Sequence, residues 1–309
     1  MLPDGRLASG SDDKTIRLWE VKASGGRREL EEDSDPFHAP CLLPDGRLAL
    51  AAKDDTIRLF DVKTGAESAK FESSSPVNEL CVLPDGRLAL ACDDSTIRLW
   101  DMKTGVESVR LEGHTDPISA LCVLPDGRLA SGAYDNTIRL WDLKTGVESL
   151  RLEGHSESLT ALCALADGRL ASASSDDTIR LWNVKTGAES ARLEGCTGWW
   201  VYALCLLPDG RLALAAEDQT IRVWDVKTRA ESAGFKGHIG GVRALSVLPD
   251  GRLASGSYDN TIRVWNVKTC KEICRLEVDA PVQCLATLPD GRLVAGDRIG
   301  RLHWLELIE

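Results

Sequence analysis

The sequence has no excess of positive charge and no long apolar run, and both absences exclude classes of function. Acidic residues number 48 against 37 Lys and Arg, so the formal net charge is −11. Proteins that bind a phosphate backbone concentrate Lys and Arg, so nucleic acid is not an expected partner. No stretch approaches the ~18 consecutive apolar residues of a membrane-spanning helix, and the N-terminus has no basic segment followed by an apolar one. We therefore expect a cytoplasmic protein that neither spans a membrane nor enters the secretory route.

Catalytic signatures are absent as well. The repeated PDGRL segment predicts a hairpin turn, and no GxxxxGK[ST] phosphate loop occurs. His, Ser and Asp recur together, but they do so several times and each time with a Trp, whereas a nucleophilic triad is normally single. These patterns predict a protein that is not an enzyme.

Cysteine is present ten times, but its placement does not indicate disulfides. Cys270 and Cys274 in TCKEIC could bind a metal, yet no second ligand pair follows at a suitable spacing, so packing in an outer strand is the better explanation. Five other cysteines occupy one place in successive repeats and predict an interior slot for a small apolar side chain: Cys41, Cys81, Cys122, Cys163 and Cys205. No metal and no cofactor are expected.

A single period runs through the whole chain. The Asp of the DGRL motif falls at 4, 45, 85, 126, 167, 209, 250 and 290, with spacings of 41, 40, 41, 41, 42, 41 and 40 residues. No linker interrupts the series, so residues 1–309 are predicted to form one repeat domain. Its first repeat, 1–21, is incomplete, and its last covers 270–309.

One repeat, from His114 to Gly154, contains four strand-like runs divided by turn signals. ISALCVL is almost wholly apolar, as in a strand covered on both faces. After the PDG turn, RLASGA and TIRLW form the second and third strands, and VESLRLE, after KTG, alternates as an outer strand does. A four-stranded sheet of this length cannot bury both faces alone, and stacking the copies in a closed ring allows it to do so.

Gly113-His114, Asp135 and Trp141-Asp142, repeated at this period, resemble the WD40 repeat family along essentially the whole chain. The resemblance implies an all-β propeller of four-stranded antiparallel blades around a central channel. It also implies a hydrogen-bonded tetrad of His, Ser, Asp and Trp within a blade. The three complete sets here are His114, Ser131, Asp135 and Trp141; His155, Ser172, Asp176 and Trp182; and His238, Ser255, Asp259 and Trp265.

The His and Ser positions are kept or lost together. Where Leu50, Leu90 and Leu214 replace the Ser, the His position holds Asp33, Ser74 and Cys196, and the last repeat has Asp279 with Ala295. A buried hydroxyl without its partner is costly, whereas an apolar replacement can be nearly neutral. These blades are therefore predicted to hold together by apolar packing.

The repeats are compatible with either seven or eight blades. Eight hairpins of second and third strands are present, but only seven first strands and seven outer strands. Seven blades close the ring if an outer strand near residues 27–32 pairs with the last third strand, 301–307, which leaves residues 2–21 as an extra hairpin. An eight-bladed ring with incomplete first and last blades is the alternative. We favour seven, and unpaired edges at the junction would permit oligomers.

Residues that break the repeat on one face of the propeller are candidates for partner binding. The segment GCTGWWVYAL, 195–204, has one residue more than its counterparts and carries three aromatic residues, which commonly anchor interfaces. The alternative is that one Trp folds inward beside Cys196. The candidate partner-binding residues are Trp199, Trp200, Tyr202, Arg243, Tyr258, Tyr134, Glu217, Lys53 and His38.

These patterns favour a non-catalytic scaffold that binds a protein or peptide on that face. The alternatives are a sensor or ligand-binding module of a larger assembly, and, less favoured, a hydrolase or lyase that uses the central channel. A small molecule or metal at the channel mouth has His38 as its obvious candidate ligand.

Overall fold

A computed structural model describes residues 7–10, 16–23, 37–52, 54–193 and 200–308, with side chains described between residues 39 and 306 of these ranges. Its strands form seven antiparallel sheets. Six have four strands, and the seventh has five in the order β1-β2-β29-β28-β27. The prediction of an all-β propeller with seven blades is confirmed.

Each of blades 1 to 6 is a run of four consecutive strands, and blade 7 combines strands from the two ends of the chain. Blade 1 is β3 (Phe37–Leu42), β4 (Arg47–Ala52), β5 (Thr56–Asp61) and β6 (Glu67–Glu72); blade 2 is β7 (Val77–Val82), β8 (Leu88–Cys92), β9 (Ile97–Asp101) and β10 (Val106–Leu111); blade 3 is β11 (Ile118–Val123), β12 (Leu129–Ala133), β13 (Ile138–Asp142) and β14 (Val147–Leu152). Blade 4 is β15 (Leu159–Ala164), β16 (Arg169–Ser174), β17 (Ile179–Asn183) and β18 (Glu189–Leu193); blade 5 is β19 (Val201–Leu206), β20 (Leu212–Ala216), β21 (Ile221–Asp225) and β22 (Ala230–Phe235). Blade 6 is β23 (Val242–Val247), β24 (Leu253–Ser257), β25 (Thr261–Asn266) and β26 (Lys271–Glu277); blade 7 is β27 (Val282–Thr287), β28 (Leu293–Asp297), β29 (Leu302–Ile308), β2 (Ile16–Ala23) and β1 (Leu7–Gly10).

The ring closes through β2, which corrects the predicted closing strand. The second half of β2 pairs with β29, from Glu20 opposite Ile308 to Ala23 opposite Leu305. Its first half pairs with β1, from Ile16 opposite Gly10 to Trp19 opposite Leu7. The hairpin that was predicted to be extra therefore supplies the outer strand of blade 7, because an eight-residue strand is long enough to serve two neighbours. Residues 27–32, predicted for this role, lie outside the described residues.

Apolar side chains that join neighbouring blades form the core. The cluster between blades 3 and 4, for example, contains Leu140 from one blade and Leu170 from the next, both fully buried. A corresponding cluster joins Leu50 and Phe60 of blade 1 to Trp304 of blade 7 and so seals the ring. Each blade is covered only by its neighbours, which is why one copy does not suffice.

The innermost strand of each blade has a register shift near its start. In blade 3, Ile118 pairs with Ala133 and Ala120 with Gly132, so Ser119 is the extra residue of a β-bulge. Bulges turn a side chain away from the regular alternation of the strand. The same position is Asn78 in blade 2, and Tyr202 and Arg243 in blades 5 and 6.

Candidate functional site

In blades 3, 4 and 6 the histidine, serine, aspartate and tryptophan lie together and hydrogen-bond. His114 Nδ1 lies 2.7 Å from Asp135 Oδ2, and its Nε2 lies 2.8 Å from Ser131 Oγ, which also accepts the indole N–H of Trp141 at 2.9 Å. In blade 4 the corresponding distances are 2.8, 2.7 and 2.8 Å for His155 with Asp176, His155 with Ser172, and Trp182 with Ser172. In blade 6 they are 2.9, 2.7 and 2.8 Å for His238 with Asp259, His238 with Ser255, and Trp265 with Ser255.

The donors in each tetrad form one directed chain. The Trp265 N–H donates to Ser255, the Ser255 hydroxyl donates to the imidazole Nε2 of His238, and Nδ1–H donates to the Asp259 carboxylate, which accepts only. Burial lowers the pKa of His238 and outweighs the carboxylate, which favours the neutral ring that this chain requires. Every polar group of the tetrad is thus used inside its own blade, a structural role.

The glycine before each tetrad histidine is required by close packing. A Cβ on Gly113 would lie 2.6 Å from Arg139 Nη1 and 3.2 Å from Trp141 Cη2. Gly237 has the same neighbours in blade 6, with Arg263 Nη1 at 2.5 Å. A side chain at either position would displace the arginine and the indole that cover the tetrad.

Blades without the serine keep only part of the arrangement. Leu90 and Leu214 are buried where the serine would be, and the indole Nε1 atoms of Trp100 and Trp224 are buried without an acceptor in the described part of the chain. Blade 1 has exchanged the tryptophan too, since Phe60 packs opposite Leu48 in its place. Blades 2 and 5 therefore retain a polar group whose partner has been replaced.

Blade 7 contains a different buried pair that the repeat pattern did not reveal. Asp297 is fully buried and accepts from His303 Nε2 at 2.9 Å and from the backbone N–H of Ile299 and Arg301. Asp297 follows Ala295 by two residues, whereas the tetrad Asp follows its Ser by four. The shorter spacing hides the pair from a search for the repeat.

The bulge residues of five blades meet at one end of the central channel. Together with the turns between second and third strands they line a cavity of about 540 Å³. Hydrogen bonds show that these turns abut the loops that lead into the inner strands, as in Tyr134 N to Pro117 O at 2.9 Å and Glu217 N to Trp200 O at 3.0 Å. We call this side of the ring the channel-mouth face. The cavity is lined by Asn78, Glu79, Ser119, Tyr134, Ser158, Leu159, Thr160, Ser175, Trp200, Tyr202 and Arg243.

An aromatic cluster with one cation forms the wall of the cavity at blades 5 and 6. The Arg243 guanidinium lies over the Tyr202 ring, 4.6 Å from its centroid, and Tyr258 meets the same ring edge-on at 6.2 Å. Trp200 is 58% exposed, and Tyr134, which lines the same cavity from blade 3, is 52% exposed. Partial burial is the main cause that raises the pKa of Tyr202, and the negative charge of Glu217 acts in the same direction. The hydroxyl of Tyr202 therefore remains protonated. Aromatic and arginine side chains held rigidly at a surface are typical anchors of interfaces.

The structure thus brings Trp200, Tyr202, Arg243 and Tyr134 to one cavity, with Tyr258 and Glu217 beside it. Trp199 and Lys53 lie outside the described residues, and so does Cys196, beside which a Trp was alternatively expected to fold. The backbone of His38 is part of β3, but its side chain is outside the described part.

Glu79 is the residue that the sequence analysis missed. It projects into the cavity from β7, and burial raises its pKa to about 7 although the charge of Arg243 acts in the opposite direction. The corresponding residue is Ala120 in blade 3 and Ala161, Ala203 and Ala244 in blades 4 to 6. A lone acid at a position that holds alanine in four other blades and Cys284 in blade 7 was the signal available in the sequence.

Among the described residues, no group of three or more His, Cys, Asp or Glu side chains is arranged to hold a metal ion. Within the same part of the chain, no helix has the length and apolar character needed to cross a bilayer.

Comparison with known families agrees with this architecture. The family described as WD domain, G-beta repeat matches more than half of the chain, at residues 1–20, 65–101, 105–142, 146–183 and 187–225. The chain belongs to the WD40 family. A second family, described as the TEP-1 C-terminal beta-propeller, matches residues 238–307 of this WD40 protein.

Among solved structures, the WD40 beta propeller domain of Doa1 is similar with a TM-score of 0.83 and 20% sequence identity. The match covers 93% of this chain and 97% of that one, and at this identity it shows the fold alone. None of the curated proteins compared with the chain matches it. WD40 propellers are typically non-catalytic and generally bind proteins or peptides.

Proposed function

We propose that this WD40 propeller is a non-catalytic scaffold that binds a protein or peptide partner across its channel-mouth face. The observation that carries the proposal is the cavity of about 540 Å³ whose wall combines Trp200 and Tyr134 with the Tyr202–Arg243 stack. Exposed aromatic rings beside a concave site offer contact area at little cost in conformational entropy. Ile239, 80% exposed on the same side of blade 6, extends the apolar area.

The polar groups of the tetrads support a scaffold over a catalyst. Each tetrad histidine is buried inside a single blade, and its two ring nitrogens hydrogen-bond to the Ser and the Asp of that blade. The aromatic rim of the cavity, by contrast, has no such role in packing a blade. We also propose that the protein is located in the cytosol and that it functions without a cofactor.

Affinity capture from a native extract with chemical cross-linking tests the proposal. The intact protein is compared with a Trp200→Ala, Tyr202→Ala, Tyr258→Ala variant and with a control that removes the exposed outer-strand side chains Val106 and Val147, 60% and 61% exposed. We expect partners retained by the intact protein and the control to be lost from the aromatic variant. Partners that all three proteins retain equally would refute binding at the channel-mouth face.

A further inference from the structure

The two faces of the ring carry different charge. On the channel-mouth face of blades 2 to 5, five exposed carboxylates have no cationic partner among the described residues: Asp93, Asp116, Glu157, Asp177 and Glu217. The cations described on this face are Arg243 in blade 6, Lys236 in the loop that leads into blade 6, and Arg298 in blade 7. The opposite face presents exposed lysines in successive turns between third and outer strands: Lys63, Lys103, Lys144, Lys185, Lys227 and Lys268.

Glu79 adds a sixth carboxylate to these five, and it lies inside the cavity. One of its oxygens accepts the Leu80 N–H at 3.3 Å, and in the described part of the chain the side chain forms no ion pair and no other hydrogen bond. Its strand, β7, is flanked by inner strands that supply Ala, Leu and Cys side chains. Enclosing a charged carboxylate in protein without a partner costs free energy, and a bound cation would offset that cost.

We infer that the partner presents a basic segment, one Lys or Arg side chain of which enters the channel mouth and pairs with Glu79. This inference rests on the proposed function and names the chemistry of the partner. Tyr134 and Trp200 flank the route of the alkyl stem and favour a cation beside their rings. Asp93 and Glu217 stand at the rim for neighbouring basic side chains.

Arg243 determines the side from which the cation enters. Its guanidinium is held over the Tyr202 ring at 4.6 Å, and no carboxylate of the described residues lies within ion-pair distance of it. Arg243 therefore does not form an ion pair with Glu79, and its positive charge repels a second cation that approaches over blade 6. The open approach is over blades 2 to 4, where four of the five unpaired carboxylates lie.

Long-range charge supports the same direction of docking. A net charge of −11 with the unpaired carboxylates gathered on one face accelerates encounter with a basic partner and orients it, and salt screens this effect. An acidic partner would instead be drawn to the lysines of the opposite face. The charge pattern thus separates the two classes of peptide by face.

Fluorescence anisotropy with two labelled peptides tests the inference. One peptide is composed of Arg, Lys, Gly and Ser, and its counterpart has Glu in place of every Arg and Lys. We expect saturable binding of the basic peptide that weakens with salt and that Glu79→Gln reduces about tenfold or more, as the loss of a charge-assisted hydrogen bond predicts. Glu79→Ala is the second variant, and it places in blade 2 the residue that blades 3 to 6 have, so folding is expected to be retained.

Glu231→Gln, on an exposed outer strand, is the matched control and is expected to change nothing. Undiminished binding to both Glu79 variants, no saturable binding of the basic peptide, or binding of the acidic peptide through Arg243 would each overturn the inference. Loss of peptide binding in the Trp200, Tyr202, Tyr258 variant with no effect of Glu79 would leave the docking face intact and reject only the cation site.

Discussion

The indole Nε1 of Trp265 donates a hydrogen bond to Ser255 Oγ over 2.8 Å, and one blade away the same donor has lost its acceptor. There, Leu214 occupies the serine position, and Trp224 Nε1 is buried without a partner among the described residues. Both rings are at least 95% buried, with 1% and 5% exposed. Apolar replacement of the serine has therefore left one donor unsatisfied.

Replacement of the two tryptophans by phenylalanine is expected to have unequal effects. Both substitutions remove the same volume, but Trp265→Phe also removes the hydrogen bond that Ser255 Oγ accepts, whereas Trp224→Phe removes an unsatisfied donor, as Phe60 does in blade 1. We expect the Trp265 variant to lose ~1–3 kcal/mol more unfolding free energy. Urea titrations of the two variants measure it, and equal losses would contradict this account of the serine exchange.

Asp135 and Asp54 occupy equivalent turns and differ in their partners. Asp135 accepts from His114 and from the Thr115 and Thr137 N–H groups, whereas Asp54 is more exposed and pairs with Arg58 and Lys70. Asp135→Ala is expected to cost ~1–3 kcal/mol because it strands buried donors, and Asp54→Ala about 1 kcal/mol or less, as for surface pairs. Thermal unfolding compares the two variants, and an equal or larger shift for Asp54→Ala would refute the expected difference.

Stability should fall as the pH drops below about 6.5, the ordinary pKa of histidine. Burial lowers the pKa of His155 and His238 in the folded protein, so the unfolded chain binds more protons below that pH and gains stability relative to the fold. Burial raises the pKa of Asp176, but hydrogen bonds from Thr178 and His155 outweigh it and bring the value to about 2, so a second loss follows below pH ~4.

The free energy of unfolding at pH 7.5 and pH 5.5 measures the histidine contribution. A His155→Ser, Ser172→Leu variant reproduces the pair found in blade 2, Ser74 and Leu90, and should show a smaller decline between the two pH values. An unchanged decline would assign the acid sensitivity to other groups.

The thiols of the inner strands should resist alkylation in the folded protein. Burial raises the pKa of Cys122 and Cys205 to about 11 and that of Cys41 to about 12, and the thiolate is the reactive form. Iodoacetamide at pH 8 is expected to label these sites slowly in buffer and rapidly in urea, as measured by mass spectrometry. Because these pKa values are raised, their contribution to stability is complete below about pH 8.5 and declines above it. Equal labelling rates in buffer and urea would show that the slot is open.

The repeat, the four strands of a blade and the candidate tetrad residues could all be predicted from the order of the amino acids. Each depends on contacts within about 41 residues, where spacing and alternation are enough to assign strands and turns. The joint loss of His and Ser could be recognised in the sequence for the same reason. That Trp224 would keep an unpartnered N–H was not, since its acceptor is defined only once the strands are paired.

The closure of the ring and the residues that line its channel could not be predicted in this way, because both depend on how the blades pack. The two halves of β2 pair with different strands, and β29, which completes blade 7, comes from the far end of the chain. Glu79 and Arg243 stand more than 160 residues apart and reach one cavity because the blades turn through a full circle. Local pattern holds no information on that angle, which is set by the packing of each blade on the next.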